Sequence, residues 1–178
     1  MAVMTYFLLE NWKKNNRLNG NQFVATTIVS TPMIEKMVTA YGVKYMETLT
    51  GFKWIGKLIK DYPTLEFIGG GEESFGYLVG DQIRDKDAVT ATLLACEIGA
   101  YAKEMGKSFF EILEDCYRKF GAHKEKLLSF TQKGKEGAEK IKSMMDGYRK
   151  NPPKKLGGIR IIEIEDYLKS TRVMLEQN

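Results

Sequence analysis

The residues best suited to chemistry lie between Gly69 and Asp87, in the segment GGGEESFGYLVGDQIRDKD. Its three consecutive glycines free the backbone and follow an apolar stretch, where the strand ends of open α/β sheets bind ligands. The phosphate-cradling patterns G-x-x-x-x-G-K-[ST] and G-x-G-x-x-G are both absent. Glu72, Glu73 and Ser74 follow instead. Adjacent carboxylates repel a phosphate but accept hydrogen bonds from hydroxyls, so the loop suits a polyol such as a sugar ring. The same residues suit a solvated hairpin tip. Further along, the charge reverses: Arg84 and Lys86 precede a helix expected to begin at Asp87. A helix N-terminus with free amides and two cations is a candidate anion site. The alternative is that Asp85 and Asp87 cap the helix and pair with those cations at the surface. An acidic hydroxyl-binding loop beside a basic helix start is, taken together, what a sugar phosphate requires.

A second glycine-bearing turn, Thr48-Leu49-Thr50-Gly51-Phe52-Lys53, falls at a strand end that shares a sheet edge with the first loop if the strands are parallel. Gly51 also suits a simple turn. Elsewhere the chemistry is thin. His123 is the only histidine and has no cysteine or carboxylate at ligand spacing, so no metal site is indicated. No G-x-S-x-G marks a hydrolase serine. The nine methionines fall mostly at helical spacing and read as core or interface. Lysines from 133 to 155 alternate with glutamates, as on a solvated face.

These segments need elements to hold them. Met1 to Lys14 reads as a helix with Val3, Phe7, Leu8 and Trp12 on one stripe, beginning without a cap, as if the chain starts inside an element. Phe23–Val29 is a short β-branched strand. Thr31-Pro32 opens a helix that Gly42 closes. Strand Val43–Glu47, a helix from Phe52 to Lys60 and strand Leu65–Ile68 follow. This alternation argues for parallel strands with helical crossovers. Ser74–Val79 then returns antiparallel if the glycine segment is a hairpin loop. Asp87 starts the longest helix, with Val89, Leu93, Cys96 and Ala100 as its apolar stripe and Gly106 at its end. Ser108 and Glu111 form a capping box for another helix, stopped by Gly121. The fold expected is α/β: a three-layer α/β/α domain whose small mixed sheet of about four strands is flanked by helices. After Phe130 come a helix striped by Ala138, Ile141, Met145 and Tyr148, a break at Pro152-Pro153, one strand over Ile159–Glu165 and a ragged end at Asn178.

The 178 residues, 43% hydrophobic and 28% charged, are enough for one sizeable core and exclude a disordered tail or disulfide miniprotein. A net charge of +4, spread along the chain, ranks nucleic-acid binding last. Cys96 and Cys116 read as reduced core thiols of a cytosolic protein. No apolar run approaches the roughly 18 residues that span a bilayer.

GGGEESFG followed by RDKDAV resembles the third domain of the phosphohexomutases, the phosphoglucomutase/phosphomannomutase family, and Thr50-Gly51-Phe52-Lys53 resembles a second loop of that domain. The likeness runs from about Leu18 to Phe130, and Lys133–Pro153 looks like the family's linker into a fourth domain. It implies residues 1–17 as the end of a preceding domain, 18–130 as the sugar-recognition domain, and 131–178 as a linker helix with the first strand of a truncated fourth domain. It further implies that Glu72 and Ser74 hydrogen-bond sugar hydroxyls and that Phe52, within the turn of Thr50 and Gly51, lies near the ring. Lys86 would sit by the reacting hydroxyl or phosphate in an acid/base or electrostatic role, with Arg84 and Lys53 reinforcing the positive field. Family members interconvert hexose 1-phosphate and hexose 6-phosphate through a bisphosphate. Their phosphoserine loop, Mg²⁺ loop and distal-phosphate loop have no counterpart in this sequence. The expectation is a cytoplasmic enzyme's fragment, inactive alone. Mg²⁺ and hexose 1,6-bisphosphate would serve the full enzyme and bind nothing here. Its partners would be a hexose phosphate and its own remaining domains, with no nucleic acid and no membrane. The rival reading is a non-catalytic sugar-phosphate-binding module.

Overall fold

In the computed structural model, which describes residues 1–175, the first expected strand forms as β1, Gln22–Thr27, buried along its whole length. A strand covered on both faces has no reason to alternate polar with apolar residues, and QFVATT does not. Thr31-Pro32 leads into α2, Met33–Ala40, and Gly42, at φ 69°, turns the chain into β2, Lys44–Thr48. Helix α3, Phe52–Asp61, crosses to β3, Glu66–Glu72, and β4, Gly76–Val79, returns beside it. The sheet order is β2-β1-β3-β4. β1 is parallel to β2 and β3, and β4 runs antiparallel to β3. Helices α1, Ala2–Lys14, α4, Ala88–Glu104, and α5, Phe109–Phe120, complete this unit, which spans Met1–Glu125.

Alternate side chains of each strand point to opposite layers. Val24, Ile68 and Tyr77 meet Leu9, Ile34, Met37, Ile98 and Cys116 on the side of α1, α2, α4 and α5. Phe23, Ala25, Phe67 and Leu78 meet Phe52, Ile55 and Ile59 of α3 on the other. This is the expected mixed four-stranded sheet with helices on both faces. Helix α1 belongs to the same core: Leu9 is fully buried, and the Thr5 and Tyr77 hydroxyls share a 3.1 Å hydrogen bond.

Three local expectations are corrected. The glycine triplet is not a loop but the second half of β3, and none of its glycines adopts a positive φ. What glycine supplies there is room: a Cβ on Gly70 would stand 1.9 Å from the Ala25 carbonyl oxygen, and one on Gly71 2.4 Å from that of Gly76. The stripe Val89, Leu93, Cys96 and Ala100 faces outward, Val89 being 79% exposed, while Leu94, Ile98 and Ala102 are buried. AVTATLLACEIGA is apolar nearly all round, so its periodicity does not select a face. Cys96 is accordingly exposed, and only Cys116 is a buried thiol.

The capping box forms as read. The Ser108 hydroxyl accepts from the Glu111 amide at 3.3 Å, and the Glu111 carboxylate accepts from the Ser108 amide at 2.6 Å. Ser108→Ala is expected to cost about 1 kcal/mol. Urea denaturation measures it, and an unchanged midpoint would mean that packing of Ile112 and Cys116 alone holds α5.

The second unit begins at Lys126. It holds α6, Gly134–Lys150, and, in place of one strand over Ile159–Glu165, two short antiparallel pairs: β5, Lys155–Leu156, with β6, Ile159–Arg160, and β7, Glu163–Asp166, with β8, Thr171–Met174. Gly157 and Gly158 both take positive φ and fold the first pair back on itself. In α6, Ile141 is half-buried while Ala138, Met145 and Tyr148 are exposed. Arg149 grips Asp166 with two hydrogen bonds, at 2.6 and 3.3 Å. The expected ragged end at Asn178 lies outside the described residues. No helix among the described residues is long and apolar enough to cross a membrane.

Candidate functional site

Three segments distant in sequence meet at the end of β3. Glu72 is its last residue, and Glu72 pairs with Gly76 across a three-residue hairpin loop, Glu73-Ser74-Phe75. The chain leaves β4 and comes back when the Asp87 amide donates to the Tyr77 carbonyl at 2.9 Å. That return sets Lys86 beside Glu72, and its ammonium donates to Glu72 Oε1. The other carboxylate oxygen accepts from the Gly51 amide at 3.2 Å, tying in the turn before α3. The turn requires a φ of 112°, which glycine adopts without steric cost. Gly76 sits close to the pair: a Cβ there would approach Lys86 Cδ to 3.0 Å and Glu72 Cγ to 3.2 Å, crowding both side chains.

Glu72 is buried, its side chain 4% exposed, whereas Lys86 is 44% exposed. The hydrogen bond from Lys86 holds the Glu72 carboxyl below the usual carboxylate range, against burial and with help from the Ser74 hydroxyl and the Gly51 amide. The same bond raises the Lys86 ammonium above its ordinary value. At neutral pH Glu72 is therefore an anion and Lys86 a cation. Lys86 is suited to fixed positive charge or proton donation, not to service as a base.

The remaining residues separate. Ser74 is exposed beside Glu72, and Thr50 is exposed before Gly51. Glu73 accepts from the Thr27 hydroxyl at 2.8 Å, fastening the loop to the end of β1. Phe52 is 4% exposed and packed on the sheet through α3. Starting a helix right after Gly51 turns its first side chain inward. Lys53 is exposed, with its ammonium 5.2 Å from the Trp54 ring centroid. Arg84 is exposed, and its backbone lies against α3, where a Cβ on Gly56 would come 2.7 Å from the Arg84 oxygen.

The α4 N-terminus is not an open anion site. The Asp87 carboxylate already accepts from the Val89 and Thr90 amides, at 3.0 and 3.3 Å. Of the two readings of Asp87, capping is the one found. Among the described residues no group of three or more His, Cys, Asp and Glu side chains is placed to hold a metal ion. Sequence reasoning missed Thr27 and Phe75. Thr27 has no local signal. Phe75 has one, since it occupies the last position of a hairpin loop where glycine is the usual residue.

A cavity of 640 Å³ opens beside the Glu72–Lys86 pair, with Phe75, Tyr77, Ala91 and Ala95 among its walls. The volume is in the range of small-molecule sites. Fold and site together define an α/β/α domain whose hairpin carboxylate is cross-tied to two neighbouring loops. A family model described as "Phosphoglucomutase/phosphomannomutase, alpha/beta/alpha domain III" matches residues 2–120. The chain belongs to the phosphoglucomutase/phosphomannomutase family.

Among curated relatives, a phosphoglucomutase of Staphylococcus aureus (strain N315) is 36% identical over 161 residues, covering 89% of this chain and 29% of that protein. One of Staphylococcus haemolyticus is 33% identical over 178 residues, covering 99% and 32%. The chain thus spans about a third or less of these relatives' length. The solved structure of parafusin, a Paramecium phosphoglucomutase in its open form, shares the fold with a TM-score of 0.61 at 21% identity, over 97% of this chain and 30% of that one.

Proposed function

We propose that this chain is the sugar-recognition part of a phosphohexomutase that interconverts hexose 1-phosphate and hexose 6-phosphate through a bisphosphate intermediate. The observation that carries the reading is the convergence of the hairpin, the Gly51 turn and the Arg84–Asp87 segment on one buried carboxylate. In this reading Glu72 and Ser74 accept and donate hydrogen bonds to sugar hydroxyls. Thr50 and Gly51 border them, and Arg84 and Lys53 add to the positive field felt by the phosphate. Lys86 has two tasks: it holds Glu72 ionised, and its charge stabilises negative charge on the reacting oxygen. Phe52 acts indirectly, by anchoring α3 and hence the Gly51 amide.

Phosphoryl transfer and the use of Mg²⁺ and hexose 1,6-bisphosphate fall to other parts of the complete enzyme, and this segment is inactive alone. A cytosolic setting and the absence of nucleic-acid or membrane partners belong to the same proposal.

Glu72→Gln in the complete polypeptide tests it. The amide keeps the shape and one acceptor for Gly51 but loses the charge that orders Lys86 and binds hydroxyls strongly. Turnover of glucose 1-phosphate, read as kcat/KM, is expected to fall roughly ten- to hundredfold. Unchanged kinetics would remove Glu72 from the site and the reading with it.

A further inference from the structure

Phe75 is placed against two general preferences at once. It is 104% exposed, and its backbone sits at φ 57°, in the left-handed region. A bulky side chain at positive φ is a strained outlier. In three-residue hairpin loops that position is ordinarily filled by glycine, which suffers no such strain. Here a glycine stands one residue later, at Gly76, where a Cβ would crowd the Lys86 and Glu72 side chains. The loop therefore keeps a strained, solvated aromatic ring where a glycine would fold more easily. Violations of local preference of this kind concentrate at functional positions.

The surroundings say what the ring could meet. Phe75 borders the 640 Å³ cavity together with Glu72 and Lys86, so an aromatic ring and charged groups line the same space. It directly follows Ser74, whose hydroxyl helps hold the Glu72 carboxyl below its ordinary range. A pyranose has the matching anatomy, with hydroxyls around its rim and C–H groups on its faces. We infer that Phe75 is a substrate-positioning residue: its ring forms an open wall against the C–H face of the sugar while Glu72 and Ser74 take the rim hydroxyls. This rests on the sugar-recognition reading above and adds to it a contact that orients the ring face.

The test pairs two measurements. In the complete polypeptide, Phe75→Gly is expected to raise KM for glucose 1-phosphate about three- to tenfold with a smaller change in kcat, and Phe75→Tyr, which keeps a ring, to restore it. In the 178-residue chain, Phe75→Gly is expected to raise the thermal midpoint by a few degrees, because the strain is relieved. Binding and stability should thus move in opposite directions. A lowered midpoint would show a packed ring and overturn the inference, as would an unchanged KM. Glu72→Gln measured in parallel separates the two failures. If it impairs turnover while Phe75→Gly leaves KM alone, only the aromatic wall falls. If neither variant affects catalysis, the sugar-recognition reading falls too.

Discussion

Gly70→Ala is expected to abolish the cooperative unfolding of the first unit, or to lower its thermal midpoint by more than about 10 °C. The added methyl would stand 1.9 Å from the Ala25 carbonyl oxygen and within 3.2 Å of two further Ala25 backbone atoms. No side-chain rotation relieves a clash with backbone. β1 and β3 would have to part by more than an ångström, and they are the two central strands of the sheet. Ordinary overpacking costs about 1–3 kcal/mol because side chains can shift. Here the alternative is loss of the β1–β3 pairing that carries Glu72 to its place. Gly80→Ala is the control. Gly80 has φ 69° but open space around it, so only the left-handed backbone penalty of about 1–2 kcal/mol applies. Calorimetry that ranked Gly80→Ala as the more damaging change would refute the steric account of the glycine triplet.

Leu9→Ala should be the next most damaging change, costing about 2–5 kcal/mol and roughly 10 °C of thermal midpoint. Leu9 is wholly buried in the core shared by α1, α2, α4 and α5. Its neighbour Leu8 lies over the glycine strand, where a Cβ on Gly69 would meet Leu8 Cδ1 at 2.9 Å. The Thr5–Tyr77 hydrogen bond ties the same helix to β4. Helix α1 is thus a wall of this domain's core. If residues 1–17 instead served only a preceding domain, chemical denaturation of Leu9→Ala would match the parent chain.

Much of the local structure is legible in the residues. Thr31-Pro32 precedes a helix because proline presets the backbone of a first turn. Ser108 and Glu111 cap one, and Gly106 and Gly121 end two, because capping needs only side chains and backbone a few residues apart. The short apolar stretches around Phe23 and Phe67 become strands for a similarly local reason: β-branched and aromatic side chains suit a pleated surface. Glu72, Ser74, Gly51 and Lys86 were also readable as candidates, from charge and glycine placement alone.

Which face of α4 is buried was not readable, since apolar residues surround most of the helix and only contact with the sheet selects Leu94, Ile98 and Ala102. The glycine triplet is ambiguous in the sequence for a related reason. Glycine is chosen both for bends and for tight approach, and only the distance to β1 distinguishes them.

The sequence by itself determined the alternation of strands and helices in the first unit up to β3, and the residue types available at the ends of β3 and before α3 and α4. Those follow from interactions spanning a turn or two of chain. Only the tertiary structure decided that Lys86 neutralises Glu72, that Gly51 supplies its second hydrogen bond, that Asp87 fills the amides of α4, and that Phe52 goes inward while Phe75 stays out. Each of these depends on strand register and layer packing, where a carboxylate's neighbours are set by residues tens of positions away.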